Sequence, residues 1–190
     1  MLALTREKMM DCLHEATSLV NRYQKRDPLF IEKTVEWLAA TEEALQQIKS
    51  PIASFVAAER GKLIATTDGF IDPDITQNRH SKRKTQAATA ALVLSRVESA
   101  IRQQVLQIDE KFDALREKMI QFVAVATANG SPYTPPPPIE PRETWLKTVW
   151  ESFAVSAETA GMRNYINTAL YPSDRLYLLD SFIDNLINRQ

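Results

Sequence analysis

The sequence predicts an all-α protein: an elongated antiparallel bundle of about five or six helices, built around one very long helix at about residues 85–128. Three observations carry that prediction. From Thr85 to Ala128 the chain holds no Gly and no Pro, and it is rich in Ala, Gln, Leu, Arg, Glu and Lys. Those side chains lose little freedom in a helix. Along the same stretch Leu94, Val97, Ile101, Val105, Ile108, Phe112, Leu115, Met119, Phe122 and Ala126 recur at steps of three and four, a heptad seam from Ile101 onward. Finally, the chain has 4 glycines in 190 residues. Nucleotide-binding α/β folds spend glycines on phosphate loops and strand-to-helix turns, so this scarcity speaks against them. At 1.5 Å per residue the long helix reaches roughly 60–65 Å, against roughly 30–35 Å for a compact chain of this size. The molecule is therefore expected to be elongated.

The first helix is expected from Leu4 to Lys25, with Met9, Leu13, Ala16, Val20 and Tyr23 stepping down one face. Asp27-Pro28 ends it and starts the second, since Asp is a good N-cap and Pro suits the first helical position. A connection this short makes the two helices antiparallel neighbours. Ile31, Val35, Leu38, Leu45 and Ile48 form the buried face of the second helix, with Trp37 beside them. Ser50-Pro51 repeats the cap-then-proline signal, so Pro51 either kinks this helix or divides it in two, and a kink is favoured because Ile52, Phe55 and Val56 continue the apolar phase. Gly61 reads as its C-terminal stop.

Residues 62–84 lack helical period and read as an irregular loop. A small hairpin around Thr67-Asp68-Gly69 and an extended, half-buried loop are equally compatible with that stretch, and Asp72-Pro73-Asp74 reads as a turn. After the long helix, residues 129–141 form a Pro-rich connector whose four consecutive prolines, Pro135–Pro138, impose polyproline II. It serves either as a ligand for an aromatic groove or as a strap across the bundle's end, and the strap suits a segment joining two packed helices. Pro141 opens a helix bearing Trp145, Leu146, Val149, Trp150 and Phe153. Gly161 reads as a break, and Pro172-Ser173-Asp174 opens a last helix with Leu176, Leu179, Ile183 and Leu186. The whole chain, 1–190, reads as a single helical domain.

Charge and cysteine content bound the function. Lys plus Arg number 23 against 24 Asp plus Glu, so no whole-molecule field draws the chain to nucleic acid or membrane. Cys12 is the single cysteine, so no intrachain disulfide forms. No apolar run approaches a membrane span and no signal peptide opens the chain, so a cytoplasmic protein without membrane contact is expected.

The strongest local charge feature is Arg79, His80, Lys82, Arg83 and Lys84, directly before the long helix. Positive charge opposes a helix N-terminus, and it becomes favourable when an anion binds there. A nucleic-acid backbone or an acidic partner would supply one; the plainer reading is a solvated loop. Asp68, Asp72 and Asp74 miss the spacing of a calcium loop and read as turn residues. His14-Glu15 on the first helix lacks the residues that would make it a phospho-acceptor, and Cys12 and His14 do not face each other on a helix. Among Asp109, Glu110, Asp113 and Glu117, interleaved Lys111, Arg116 and Lys118 indicate a solvated ion-paired face.

No catalytic residue, metal ligand or cofactor is assigned. The leading expectation is a non-enzymatic interaction or scaffold protein that forms a homodimer, or docks another protein, through Leu94, Val97, Ile101 and Val105 of the long helix. A nucleic-acid-binding accessory protein using residues 79–84 is the alternative. A metal-dependent enzyme with an acidic helical site comes third. The two successive four-residue steps at Val97, Ile101 and Val105 interrupt the heptad alternation, which predicts a change of helix neighbours there.

Overall fold

The structure, a computed structural model, describes the backbone of residues 1–75, 81–128, 141–153 and 157–187, and side chains within 1–75, 81–125, 141–153 and 159–183. Among the described residues every regular element is helical. α1 (Leu2–Gln24), α2 (Phe30–Gln47) and α3 (Ala53–Ala65) are followed by a short 3-10 turn, Thr66–Asp68. Then come α4 (Lys82–Ala128), α5 (Arg142–Ser152), α6 (Ala157–Ala169) and α7 (Pro172–Ile187). Seven α-helices thus replace the five or six expected, and local backbone chemistry accounts for the difference.

Pro51 separates two helices instead of kinking one. Lys49 adopts a left-handed conformation, φ 53°, and the Lys49 and Ser50 amides donate back to Gln46 O (2.9 Å) and Leu45 O (2.8 Å). That pair of bonds is a Schellman motif, which ends α2 before the proline is reached. Gly61 lies in the interior of α3 and is not a stop. The stop is Gly69, φ 96°, where Gly69 N donates to Thr66 O (3.3 Å) and Phe70 N to Ala65 O (3.1 Å). The helix runs past Gly61 because Leu63 beyond it is buried at 1% exposure, and its burial outweighs the roughly 1 kcal/mol that a helical Gly costs. The hairpin at Thr67-Asp68-Gly69 is accordingly absent, and Lys62–Ala65 is helical.

The irregular stretch is shorter at its far end too, because α4 starts at Lys82. Ser81 caps it: its Oγ and its carbonyl both accept from Lys84 N (3.3 and 3.1 Å). The Asp72 turn forms as expected, with Asp74 N donating to Asp72 Oδ1 (3.0 Å) and Ile75 N to Asp72 O (2.9 Å). Gly161 sits inside α6 rather than at a break. The Pro-rich connector lies outside the described residues up to Glu140.

Two compact units divide the chain: Leu4–Gln107, and Met1–Ala3 with Ile108–Gln190. α4 contributes to both, and the division falls within one turn of Val105, where the heptad phase slips. In the first unit Met9, Leu13, Ala16 and Leu19 of α1 form a core with Trp37, Leu38 and Leu45 of α2, Val56 and Leu63 of α3, and Val93, Val97 and Ile101 of α4. Trp37 Nε1 donates to Cys12 O (3.1 Å), which gives this buried indole its polar partner. In the second unit Phe122 of α4 packs beside Trp150 (ring centroids 5.2 Å apart) and edge-on to Phe153 (5.6 Å). Leu146, Ile166, Leu178, Leu179 and Ile183 complete that core.

Candidate functional site

The first turn of α4 contains Lys82, Arg83 and Lys84 and no acidic residue. Such charge opposes its own helix dipole, and the structure shows how it is accommodated. Lys82 Nζ donates to Thr67 O (2.7 Å), a carbonyl at the C-terminal end of the α3 segment, where positive charge is favourable. Arg83 Nη2 donates to Pro28 O (3.2 Å), in the turn before α2. Two cations of the cluster therefore tie α4 to neighbouring backbone. Lys84 is exposed. Arg79 and His80, the other two residues of the cluster, lie outside the described residues.

Arg83 and Lys84 line a groove of about 830 Å³ within the first unit. One wall is the start of α4: Ser81, Arg83, Lys84, Ala87 and Ala88. The other is the α1–α2 junction, with Tyr23, Arg26, Asp27, Pro28, Phe30 and Ile31. Lys84, Ala87 and Ala88 are spaced i, i+3, i+4 and share one face of α4. Opposite them, α1 ends in a second Schellman motif with Arg26 at the left-handed position, φ 55°. Arg26 N donates to Tyr23 O (3.0 Å) and Asp27 N to Arg22 O (3.0 Å). This turn carries the Arg26 side chain to the groove. Tyr23 packs on Phe30 with ring centroids 5.1 Å apart and remains 45% exposed.

The groove's charge is unbalanced. Its one carboxylate, Asp27, accepts from Leu29 N (2.8 Å) at the start of α2 and pairs with Arg22. Those contacts, the Leu29 amide first, hold its pKa below the usual carboxylate range. Asp27 thus supplies the N-terminus of α2 with an anion, whereas among the described residues the cap of α4 is the neutral Ser81 hydroxyl. Among the described residues, no ion pair engages the side chains of Arg26, Arg83 or Lys84.

The expected interface residues are placed otherwise. Leu94, Val97, Ile101 and Val105 are buried in the chain itself, at 3, 0, 0 and 6% exposure. The apolar seam is filled by the protein's own helices, and among the described residues of α4 the large apolar side chains that are exposed are Leu106 and Ile120.

A second concavity of about 560 Å³ lies between α3 and α4, lined by Phe55, Glu59, Lys62, Ser95, Arg96, Ser99, Ala100 and Gln103. Its charged groups are consumed internally. Arg96 Nη1 meets Asp72 Oδ2 (2.7 Å) and Glu59 Oε2 (3.4 Å), Arg96 Nη2 donates to Asp72 Oδ1 (3.2 Å) and to Asp74, and Lys62 pairs with Glu59. The Arg96 bond holds the Asp72 pKa below its ordinary value, and these carboxylates raise that of Arg96. Asp72 and Asp74 are thus structural anchors of the turn after α3.

His14 is exposed. Cys12 is buried, and burial pushes its thiol pKa up, away from a reactive thiolate. On α4, Asp113 pairs with Arg116 (2.9 Å), as expected of an ion-paired face. Among the described residues no three His, Cys, Asp or Glu side chains gather so as to hold a metal ion, and no helix is long and apolar enough to cross a membrane. Sequence reasoning picked out Arg83 and Lys84 by charge density. It missed Tyr23, Arg26, Ile31, Ala87 and Ala88, which only tertiary packing brings beside them. No family model, no curated protein and no solved structure matches this chain.

Proposed function

We propose that this chain is a non-enzymatic helical interaction protein whose binding surface is the groove between the α1–α2 junction and the start of α4. The observation that supports this reading is the charge imbalance around an apolar floor. Arg26 and Lys84, with Arg83 on Pro28 O, border a concavity whose one carboxylate among the described residues is already paired. An anionic partner would relieve the like-charge crowding and supply the negative charge that the N-terminus of α4 lacks.

Self-association through the heptad seam is the weaker reading, since its four expected residues are covered within the chain. Nucleic-acid binding is weaker too. A nucleic-acid backbone would engage the cations alone and make no use of the apolar residues Pro28, Ile31, Ala87 and Ala88 beside them.

The test is an amide-resolved NMR titration with poly-L-glutamate, a simple anionic polypeptide. Shifts concentrated at residues 23–31 and 81–88, diminishing with added salt, are expected. Shifts spread over the whole surface, or none at low salt, would refute the assignment of the site.

A further inference from the structure

From the groove's shape and lining we infer that its partner is a short acidic amphipathic helix, one that carries an apolar stripe flanked by Asp or Glu. This rests on the groove being the binding surface and adds the chemistry of the occupant.

Shape comes first. Ala87 and Ala88 leave the α4 wall low, so a second helix can approach α4 at the near end of the usual 8–10 Å range. The groove's volume is about 830 Å³, on the order of one to two turns of a helix about 10–12 Å across. The apolar residues on offer are Pro28 and Ile31 on one side and the two alanines on the other, with Tyr23 beside them on the buried Phe30. A helix with anchors at i, i+3 and i+4 places them all on the groove side.

Charge selects the flank. Arg26 comes from the α1–α2 side and Lys84 from α4, while Arg83, also of α4, is held on Pro28 O of the opposite side. A helix carrying acidic residues on both sides of its stripe meets a cation along each rim. Basic or neutral amphipathic helices do not, and a like charge at either rim is repelled. A nucleic-acid strand would satisfy the cations and leave the apolar floor unused.

The experiment measures fluorescence anisotropy with four labelled probes on the full chain. They are an acidic amphipathic helical peptide, its scramble of identical composition without the stripe, a basic peptide with the same stripe, and a single-stranded oligonucleotide. The inference expects the acidic amphipathic peptide to bind at least tenfold more tightly than the other three. Lys84→Glu should weaken it about tenfold through charge. Ala88→Trp, which fills the floor without changing charge, should weaken it at least as much, and circular dichroism melts of both variants should match the parent.

Equal binding of the acidic peptide and its scramble would overturn the inference but leave the anionic groove standing. So would preference for the oligonucleotide with loss on Lys84→Glu. Binding unaffected by either substitution, or no binding of any probe, would remove both the inference and the site on which it rests.

Discussion

Lys49 and Arg26 are the non-glycine residues with positive φ among those described, at 53° and 55°. Each closes a helix where glycine is the favoured residue, and the left-handed region costs a side chain roughly 1–2 kcal/mol. Lys49→Gly should therefore raise unfolding free energy by about 1 kcal/mol, read as a higher urea midpoint at constant slope. Gly69→Ala should have the opposite sign, because φ 96° strains any side chain although the space there is open.

Asp174, 1% exposed, accepts from Leu2 N (2.7 Å) and Ala3 N (3.0 Å), and so caps α1 from α7. Its loss leaves two half-buried amide donors without this acceptor. Asp174→Ala should cost about 3 kcal/mol, and Asp174→Asn, which keeps one acceptor, about half of that.

Asp72 gives a pH dependence with a definite sign. Its pKa is depressed in the folded chain by Arg96, then by the Asp74 amide, with Lys62 adding to the field. The stabilisation is complete above the unfolded value, near about 4, and is lost as pH falls through the folded pKa. Denaturant midpoints should drop below about pH 4, and Arg96→Met should flatten that drop while lowering stability at neutral pH.

At the scale of elements, periodic apolar faces were legible and interruptions were not. The α4 seam, the α1 face and the Trp145–Phe153 stripe follow from spacing alone, because each position has one buried solution on a helix. Gly61 and Gly161 misled for the same reason in reverse. A helical glycine costs about 1 kcal/mol, and whether a helix tolerates it depends on burial elsewhere in that helix. Leu63 after Gly61 and Ile166 after Gly161, each 1% exposed, keep α3 and α6 continuous. A Cβ placed at either glycine meets no atom within 4 Å. Gly61→Ala and Gly161→Ala should therefore each stabilise by about 0.5–1 kcal/mol, measurable as a rise in Tm with binding unchanged. The break at Lys49 was illegible because a lysine in the left-handed region leaves no compositional mark.

For the whole molecule, charge reading and packing reading part company. The basic residues before α4 stood out in a chain of net charge −1, but their surroundings did not. Arg26 and Lys84 are 58 positions apart, 84 minus 26, and only the packing of α4 beside the α1–α2 junction joins them. The heptad seam, which sequence alone offered to a second molecule, is used inside the chain, and its phase slip falls near the boundary between two separately packed cores. The surface proposed for a partner is instead the groove lined by Arg26, Arg83 and Lys84.

The most direct test of that claim is the binding isotherm of the acidic amphipathic peptide to the Arg26→Glu/Lys84→Glu double variant, run beside its thermal melt. Among the described residues neither side chain holds the fold through an ion pair, so Tm should stay within a few degrees of the parent while affinity falls by a hundredfold or so, about tenfold for each reversed charge. Affinity that survives both reversals in a normally melting protein would contradict the assignment of the groove.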